Sequence, residues 1–391
     1  MEFEISPTLA QKEIIQNECL TVPVLQQENL SYQDFFEQFM VKNLPCIIKN
    51  VARDWQATNK WVNEDQPQWQ HLNTKYGHTK VIIYNCSQKY FNSQKCREST
   101  LDEYLALIRN PTEDIYYLKD WHLKLQCKTD NFYQVPVYFA SDWLNEYFTE
   151  CTDDDYRFVY MGQKSSWTPL HADVFNSFSW SVNVCGQKRW IFFPPGEELL
   201  LRDSLNNIPY DIKEIPKSRK CFEVIQNAGD AIFVPSGWYH QVWNLKDTIS
   251  INHNWVNGCN IYSMWSCLKN SLEATKREID DCKEMDNFEE HCQTMLDALF
   301  GINYNKFYTF LEFIANRRLN VLKTGNKTGL YHGHIIGINH AVFDLNQICK
   351  VLGEFLSCDH VNKSQYFHKA QSLLHEVFDI IKKRNTKHVI V

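Results

Sequence analysis

Two stretches of this chain alternate large apolar with small polar residues at a period of two, and no other feature narrows the fold as much. In Phe178-Ser179-Trp180-Ser181-Val182-Asn183-Val184 and again in Thr248-Ile249-Ser250-Ile251-Asn252-His253-Asn254, one side of an extended backbone suits a packed core and the other is narrow and hydrophilic. An ordinary half-exposed strand would also have a polar face, but it usually carries longer charged residues than Ser and Asn. Two such strands could instead line the inside of a small barrel, with something polar lying over them. Strands and turns dominate from Arg157 to Trp255, which gives that barrel enough chain to close.

Just before the first stretch stands Trp167-Thr168-Pro169-Leu170-His171-Ala172-Asp173. Pro169 stiffens the approach, and one intervening residue puts His171 and Asp173 on the same side of extended backbone. Far downstream, His240 closes Gly229-Asp230-Ala231-Ile232-Phe233-Val234-Pro235-Ser236-Gly237-Trp238-Tyr239-His240, a turn, a short apolar strand and a second turn. Barrel strands would bring all three side chains together. Two imidazoles and one carboxylate on one face of a metal leave about three of six coordination positions open, the arrangement of non-haem Fe(II) oxygenases. An isolated His-x-Asp is common by chance, so the weight rests on the downstream element and the strand pattern. Lys188 follows a turn at Gly186 and precedes the apolar run Trp190-Ile191-Phe192-Phe193-Pro194-Pro195. A lysine entering such a strand needs an anionic partner or must snorkel out, and a dicarboxylate co-substrate would supply the partner.

Taken together, Thr168 to Asp173, Gly186-Gln187-Lys188-Arg189-Trp190, Phe193-Pro194-Pro195-Gly196, Gly229-Asp230 and Pro235 to His240 resemble the JmjC-domain 2-oxoglutarate oxygenases. Tyr117-Leu118-Lys119-Asp120-Trp121-His122, Trp167 to Asp173, Ser250 to Gly258, Gly301-Ile302-Asn303 and Phe307 to Leu311 look like the branch of lysyl hydroxylases that act on the translation termination (release) factor. The likeness covers most of residues 30 to 325. It implies a mainly β fold with α elements, a double-stranded β-helix of cupin or jelly-roll type with flanking helices and a C-terminal helical region. It also implies Fe(II), 2-oxoglutarate and O2, with His171, Asp173 and His240 as iron ligands and no side-chain nucleophile. Lys188 and Thr168 resemble the pair that holds the distal carboxylate of 2-oxoglutarate. Tyr117 resembles the tyrosine that joins them, and Asn254 the asparagine near the metal after the second histidine. One residue of slip would put Tyr116 on that face instead, and Asn252 shares the parity of Asn254. Asp120, beside the Tyr117 strand, could pair with a substrate lysine.

Three function classes follow. The first is a protein hydroxylase acting on the release factor; the second is a JmjC-type lysine demethylase, which would usually carry chromatin-reading modules; the third is a non-catalytic barrel used for binding. The chain has 391 residues, 44% of them hydrophobic, enough for one large core and a smaller one. A net charge of −7 with no basic stripe argues against a nucleic-acid surface. Asp153-Asp154-Asp155 reads as a solvated acidic loop or as bait for a basic partner. No apolar run reaches membrane-spanning length, the start lacks the pattern of a signal peptide, and the 14 cysteines form no C-x-x-C pairs, so a reduced, cytoplasmic protein without membrane contact is expected.

The organisation expected is an N-terminal arm over 1–30, the barrel domain over 31–258 and a helical region over 259–391. Ser31 caps a helix through Met40. Cys292, Met295, Leu296, Leu299 and Phe300 form one apolar stripe, with Asn287 and Glu290 placed like a capping box and Gly301 at the stop. Phe307, Phe310, Leu311, Ile314 and Val321 mark the next helix, and Phe367, Ala370, Leu374, Val377, Phe378 and Ile381 the last. His332, His334 and His340 sit in a Gly-containing connection that no carboxylate or thiol flanks, a poor second metal site.

Overall fold

The computed structural model describes residues 1–14, 21–110, 113–212, 220–325, 332–362 and 366–388. Its centre is a pair of facing sheets. The smaller has four strands in the order Trp167–His171, Tyr239–Asn244, Gln187–Phe193, Phe222–Asn227. The larger has nine, running Val24–Gln26, Cys46–Lys49, Ala231–Val234, Phe178–Cys185, Thr248–Trp255, Arg157–Gly162, Tyr116–Trp121, Lys80–Tyr90, Ser93–Thr100. From Arg157 to Trp255 the chain passes back and forth between the two sheets, apart from the hairpin of Gln187–Phe193 with Phe222–Asn227 in the smaller one: a double-stranded β-helix with helices outside it.

The alternation in sequence becomes the two faces of the larger sheet. Ser179 pairs with Asn254, Ser181 with Asn252 and Asn183 with Ser250, all turned inward, whereas Phe178, Trp180 and Val182 pair with Trp255, His253 and Ile251 on the other side. That outer side is the main core, where the Trp180 ring stacks on Phe139 at 5.2 Å and Phe178 meets Phe233 at 5.1 Å. The expected polar-lined interior is therefore present.

Ser31 accepts a hydrogen bond from the backbone N–H of Asp34 and opens a helix that relaxes into a wider turn from Phe36 to Met40. Among the first described residues, Phe3, Ile5 and Leu9 are buried, and Glu2–Phe3 pairs in parallel with Ile335–Ile336. The Glu4 carboxylate then accepts from the N–H groups of Asn339 and His340, where the partial positive charge of a helix start favours an anion. The start of the expected arm is thus anchored to the helical region.

Helices Ile261–Glu278, Phe288–Phe300, Tyr304–Thr324, Ile338–Leu356 and Phe367–His388 form a second core with Trp143, Leu144 and Phe175. Arg318 ties it to the barrel side, donating to both carboxylate oxygens of Glu146 at 2.8 and 2.9 Å and to Asp344 at 2.8 Å, all three fully buried. Gly301 ends its helix at φ 90°, as expected of a left-handed stop, but Asn287 makes no side-chain cap bond because its backbone is at φ −117°, ψ 30° instead of extended. Leu299 and Phe378, expected in apolar stripes, are 74% and 62% exposed. His340 lies on helix Ile338–Leu356 and bonds to Tyr32, while His332 and His334 bond to the carbonyls of Ala140 and Val135; they are not gathered around one point.

Candidate metal centre and co-substrate lumen

The smaller sheet presents one row of residues to the interior. His240 lies opposite Phe192 on one side and His171 on the other, Val242 opposite Trp190 and Thr168, and Asn244 opposite Lys188. Strand parity alone would place Thr168 and His171 on opposite faces, since they are three apart. The pairing of Trp167–His171 with Tyr239–Asn244 slips by one residue between them, and this bulge brings both to the inner face.

His171, Asp173 and His240 converge: one ligand atom from each lies within 4.8 Å of the others, and the two imidazole centroids are 4.3 Å apart. The ring orientation is fixed by backbone. His171 Nδ1 lies 2.8 Å from the carbonyl of Pro169 and His240 Nδ1 2.9 Å from that of Trp238. A carbonyl only accepts, so each Nδ1 carries the proton and each Nε2 keeps a free lone pair. Burial, then the neighbouring His240, pushes His171 down to about 4, which keeps it neutral at physiological pH. Ser179 Oγ donates to Asp173 Oδ2 at 2.6 Å and aims the carboxylate. Three ligands thus face one point with outer hydrogen bonds already in place, as a metal requires.

Lys188 supplies the second half of the site. Fully buried, it donates to Ser250 Oγ at 2.7 Å across the barrel, and among the described residues no carboxylate pairs with it. Burial alone brings its ammonium down to about 7. Around it, Ser181 Oγ, Asn183 Oδ1 and Asn244 Oδ1 are buried without partners. A lumen with a half-neutralised lysine and orphaned polar atoms fits a small anion reaching from the lysine toward the metal ligands.

The remaining expected residues separate. Tyr117 is buried on the inner wall with its ring 5.9 Å from that of Tyr160, whereas Tyr116 faces the other way, under Arg97. Asn254 donates to Ser177 Oγ at 3.1 Å and lies opposite Ser179, at the Asp173 end; Asn252 instead donates to Ser250 Oγ at 3.2 Å, at the Lys188 end. Gly162 makes the packing possible, because a Cβ there would come within 2.5 Å of Asn244 Nδ2 and 2.7 Å of the Tyr117 ring. Tyr160 and Gly162 stand in no motif, although Tyr156, Phe158 and Tyr160 alternate as plainly as the two polar-faced strands, and Ser179, expected on the polar face, has the further role of aiming Asp173. Asp155 was expected on an acidic surface loop, but it is buried and held by His122 at 2.6 Å and Arg157 at 2.6 Å.

Residues 32–261 match the family model of the cupin-like domain. The chain is 47% identical over 360 residues to the "2-oxoglutarate and iron-dependent oxygenase JMJD4 homolog" of Drosophila melanogaster, covering 82% of this chain and 85% of the relative. It is 40% identical over 380 residues to the "2-oxoglutarate and iron-dependent oxygenase JMJD4" of Mus musculus, covering 90% and 89%. To the "Arginine-specific demethylase JMJ20" of Arabidopsis thaliana it is 37% identical over 371 residues, covering 87% and 80%. The chain belongs to the cupin-like family and, within it, to the JmjC-type 2-oxoglutarate and iron-dependent oxygenases. Iron(II), 2-oxoglutarate and dioxygen are the cofactor and co-substrates of that class, and the convergent ligand set and the unpaired Lys188 fit them. Among the described residues no helix is long and apolar enough to cross a membrane.

Proposed function

We propose that this oxygenase is a protein lysyl hydroxylase of the translation termination (release) factor, working in the cytoplasm. What carries the oxygenase part is the ligand set itself: two imidazoles with free Nε2 lone pairs and a carboxylate aimed by Ser179. The lysyl part is supported by the stretches Tyr117 to His122 and Ser250 to Gly258, whose wording resembles the branch that hydroxylates the release factor.

In this reading His171, Asp173 and His240 hold the iron. Lys188, with Thr168 on the same face and Tyr117 on the opposite wall, holds the distal carboxylate of 2-oxoglutarate, and Asn254 stands at the metal end. When bound, the metal and co-substrate consume dioxygen, release carbon dioxide and succinate, and insert one oxygen atom into a substrate C–H bond. The protein does the rest by geometry. Backbone carbonyls lock the imidazoles, and Ser250 fixes the ammonium. The apolar cluster of Trp190, Phe192, Ile232, Val234 and Val242 closes the barrel against water, which would otherwise intercept the oxidant.

A second reading, demethylation, is favoured by the likeness to the Arabidopsis relative, named an arginine-specific demethylase. Mass spectrometry of a release-factor peptide incubated with the enzyme, iron and 2-oxoglutarate separates the two. Gain of one oxygen on a lysine supports hydroxylation; loss of a methyl group from a methylated peptide, with no oxygen retained, supports demethylation and overturns the first reading.

A further inference from the structure

The inner wall of the larger sheet continues past the barrel onto strand Lys80–Tyr90, and Asp120 interrupts it. Asp120 sits at φ 55°, a left-handed conformation that is strained for a residue with a Cβ. The pairing of Tyr116–Trp121 with Arg157–Gly162 slips by one residue there, between Leu118 and Trp121. The bulge re-aims the side chain. Tyr160 Oη donates to Asp120 Oδ1 at 2.7 Å, and Tyr84 Oη donates to Oδ2 at 2.9 Å. Burial and the carboxylate push both phenols upward, so both remain donors.

Among the described residues that negative charge has no ion-pair partner in contact, although Lys119 and His122 feel it at longer range. Among the described residues no lysine, arginine or histidine nitrogen lies within 4.0 Å of the Asp120 carboxylate. The adjacent Lys119 is engaged elsewhere, its ammonium 3.0 Å from Gln94 Oε1 and 4.2 Å from the centre of the Tyr84 ring. Asp120, Tyr84 and Tyr160 are all half-buried, so a ligand can reach them. The place is next to the co-substrate lumen: the Tyr160 ring centre is 5.8 Å from the Lys188 ammonium.

We propose that Asp120, held between Tyr84 and Tyr160, is the specificity-determining carboxylate that receives the ammonium of the substrate's lysine. This rests on the lysyl hydroxylase reading. An enzyme that oxidises a carbon of a lysine stem must carry the ammonium past the metal to a fixed point, or the stem slides and the wrong carbon is presented. A carboxylate with both oxygens pinned by hydroxyls loses little freedom on binding, and phenol rings beside it add cation–π attraction.

The test compares wild type with Asp120→Asn and Asp120→Glu on a release-factor peptide carrying its lysine and on the same peptide with isosteric, uncharged norleucine. Wild type is expected to prefer lysine, and Asp120→Asn to raise KM for the lysine peptide by about tenfold and erase the preference, with kcat and the thermal shift given by Mn(II) plus 2-oxoglutarate little changed. Asp120→Glu keeps the preference in part. A preference undiminished in Asp120→Asn overturns the inference alone, and so does wild type turning over both peptides equally. Absence of any oxygen gain on the lysine peptide with wild type overturns the lysyl hydroxylase reading and this inference with it. If Asp120→Asn does not fold, as the absent thermal shift would reveal, Asp120→Glu decides: a raised KM and a weakened preference with a normal thermal shift support the carboxylate's role, and a KM and preference identical to wild type refute it.

Discussion

Replacing Lys188 with methionine should make the protein more stable and unable to hold its co-substrate. Lys188 is 2% exposed, and its ammonium falls from 10.5 to about 7 because burial disfavours the charge. That depression corresponds to an unfavourable term on the order of 5 kcal/mol for the charged form in the folded chain. Some of it is offset by the Ser250 hydrogen bond and by rings nearby, so the net gain on substitution is about 2 kcal/mol, or ~4 °C in Tm for a chain of this size. The sign with pH is definite. A lysine whose folded value is depressed destabilises the fold fully below about 7, and the penalty fades as pH rises from about 7 toward 10.5. The advantage of Lys188→Met, measured by calorimetry without 2-oxoglutarate, is therefore largest at pH 6.5 and shrinks by pH 9. When 2-oxoglutarate is added to protein already saturated with Mn(II), wild type gains several further degrees and the variant gains none. Because the co-substrate needs the ammonium, wild-type affinity for 2-oxoglutarate also weakens above about pH 7, by up to about tenfold per unit. A variant less stable than wild type at pH 6.5, yet still shifted by 2-oxoglutarate, would refute the reasoning.

Three further outcomes follow from contacts already described. Gly162→Ala pushes Asn244 and Tyr117 from the inner wall, so 2-oxoglutarate KM rises about tenfold or more while Mn(II) binding, followed by electron paramagnetic resonance, is retained. Ser179→Ala frees the Asp173 carboxylate, and metal affinity measured by competition with a chelator drops roughly 10- to 100-fold with little change in Tm. Arg318→Met removes the buried cation shared by Glu146 and Asp344, leaving Glu146 with Arg317 and Asp344 with His340 and Trp143, and costs about 3 kcal/mol in denaturant unfolding, an effect that Glu146→Gln in the same chain partly restores.

The fold and the metal ligands were legible because both depend on short-range rules. Period-two alternation placed Ser179, Ser181, Asn252 and Asn254 on one face, and a single intervening residue aligned His171 with Asp173. What escaped depends on the partner strand. Thr168 reaches the face of His171 only through a bulge, so its position came from family resemblance and not from parity. Asp120 was visible as an acid near Tyr117, but its left-handed backbone and the two phenols from Lys80–Tyr90 and Arg157–Gly162 have no mark in the local sequence. Helical stripes show the same limit. Leu299 and Phe378 fit the period, yet periodicity does not say whether a neighbour covers them, and among the described residues both are left largely exposed. The anchoring of Glu2–Phe3 against Ile335–Ile336 joins opposite ends of the chain and leaves no periodic trace.

The metal centre is tested most directly by anaerobic titration of Fe(II) into the protein with excess 2-oxoglutarate, followed through the visible charge-transfer absorption of the chelate. One equivalent of iron should saturate the band in wild type, and His171→Ala and His240→Ala should each abolish it while the protein stays folded. A band that never develops in wild type, or one that persists at full stoichiometry in either variant, would contradict iron held by His171, Asp173 and His240.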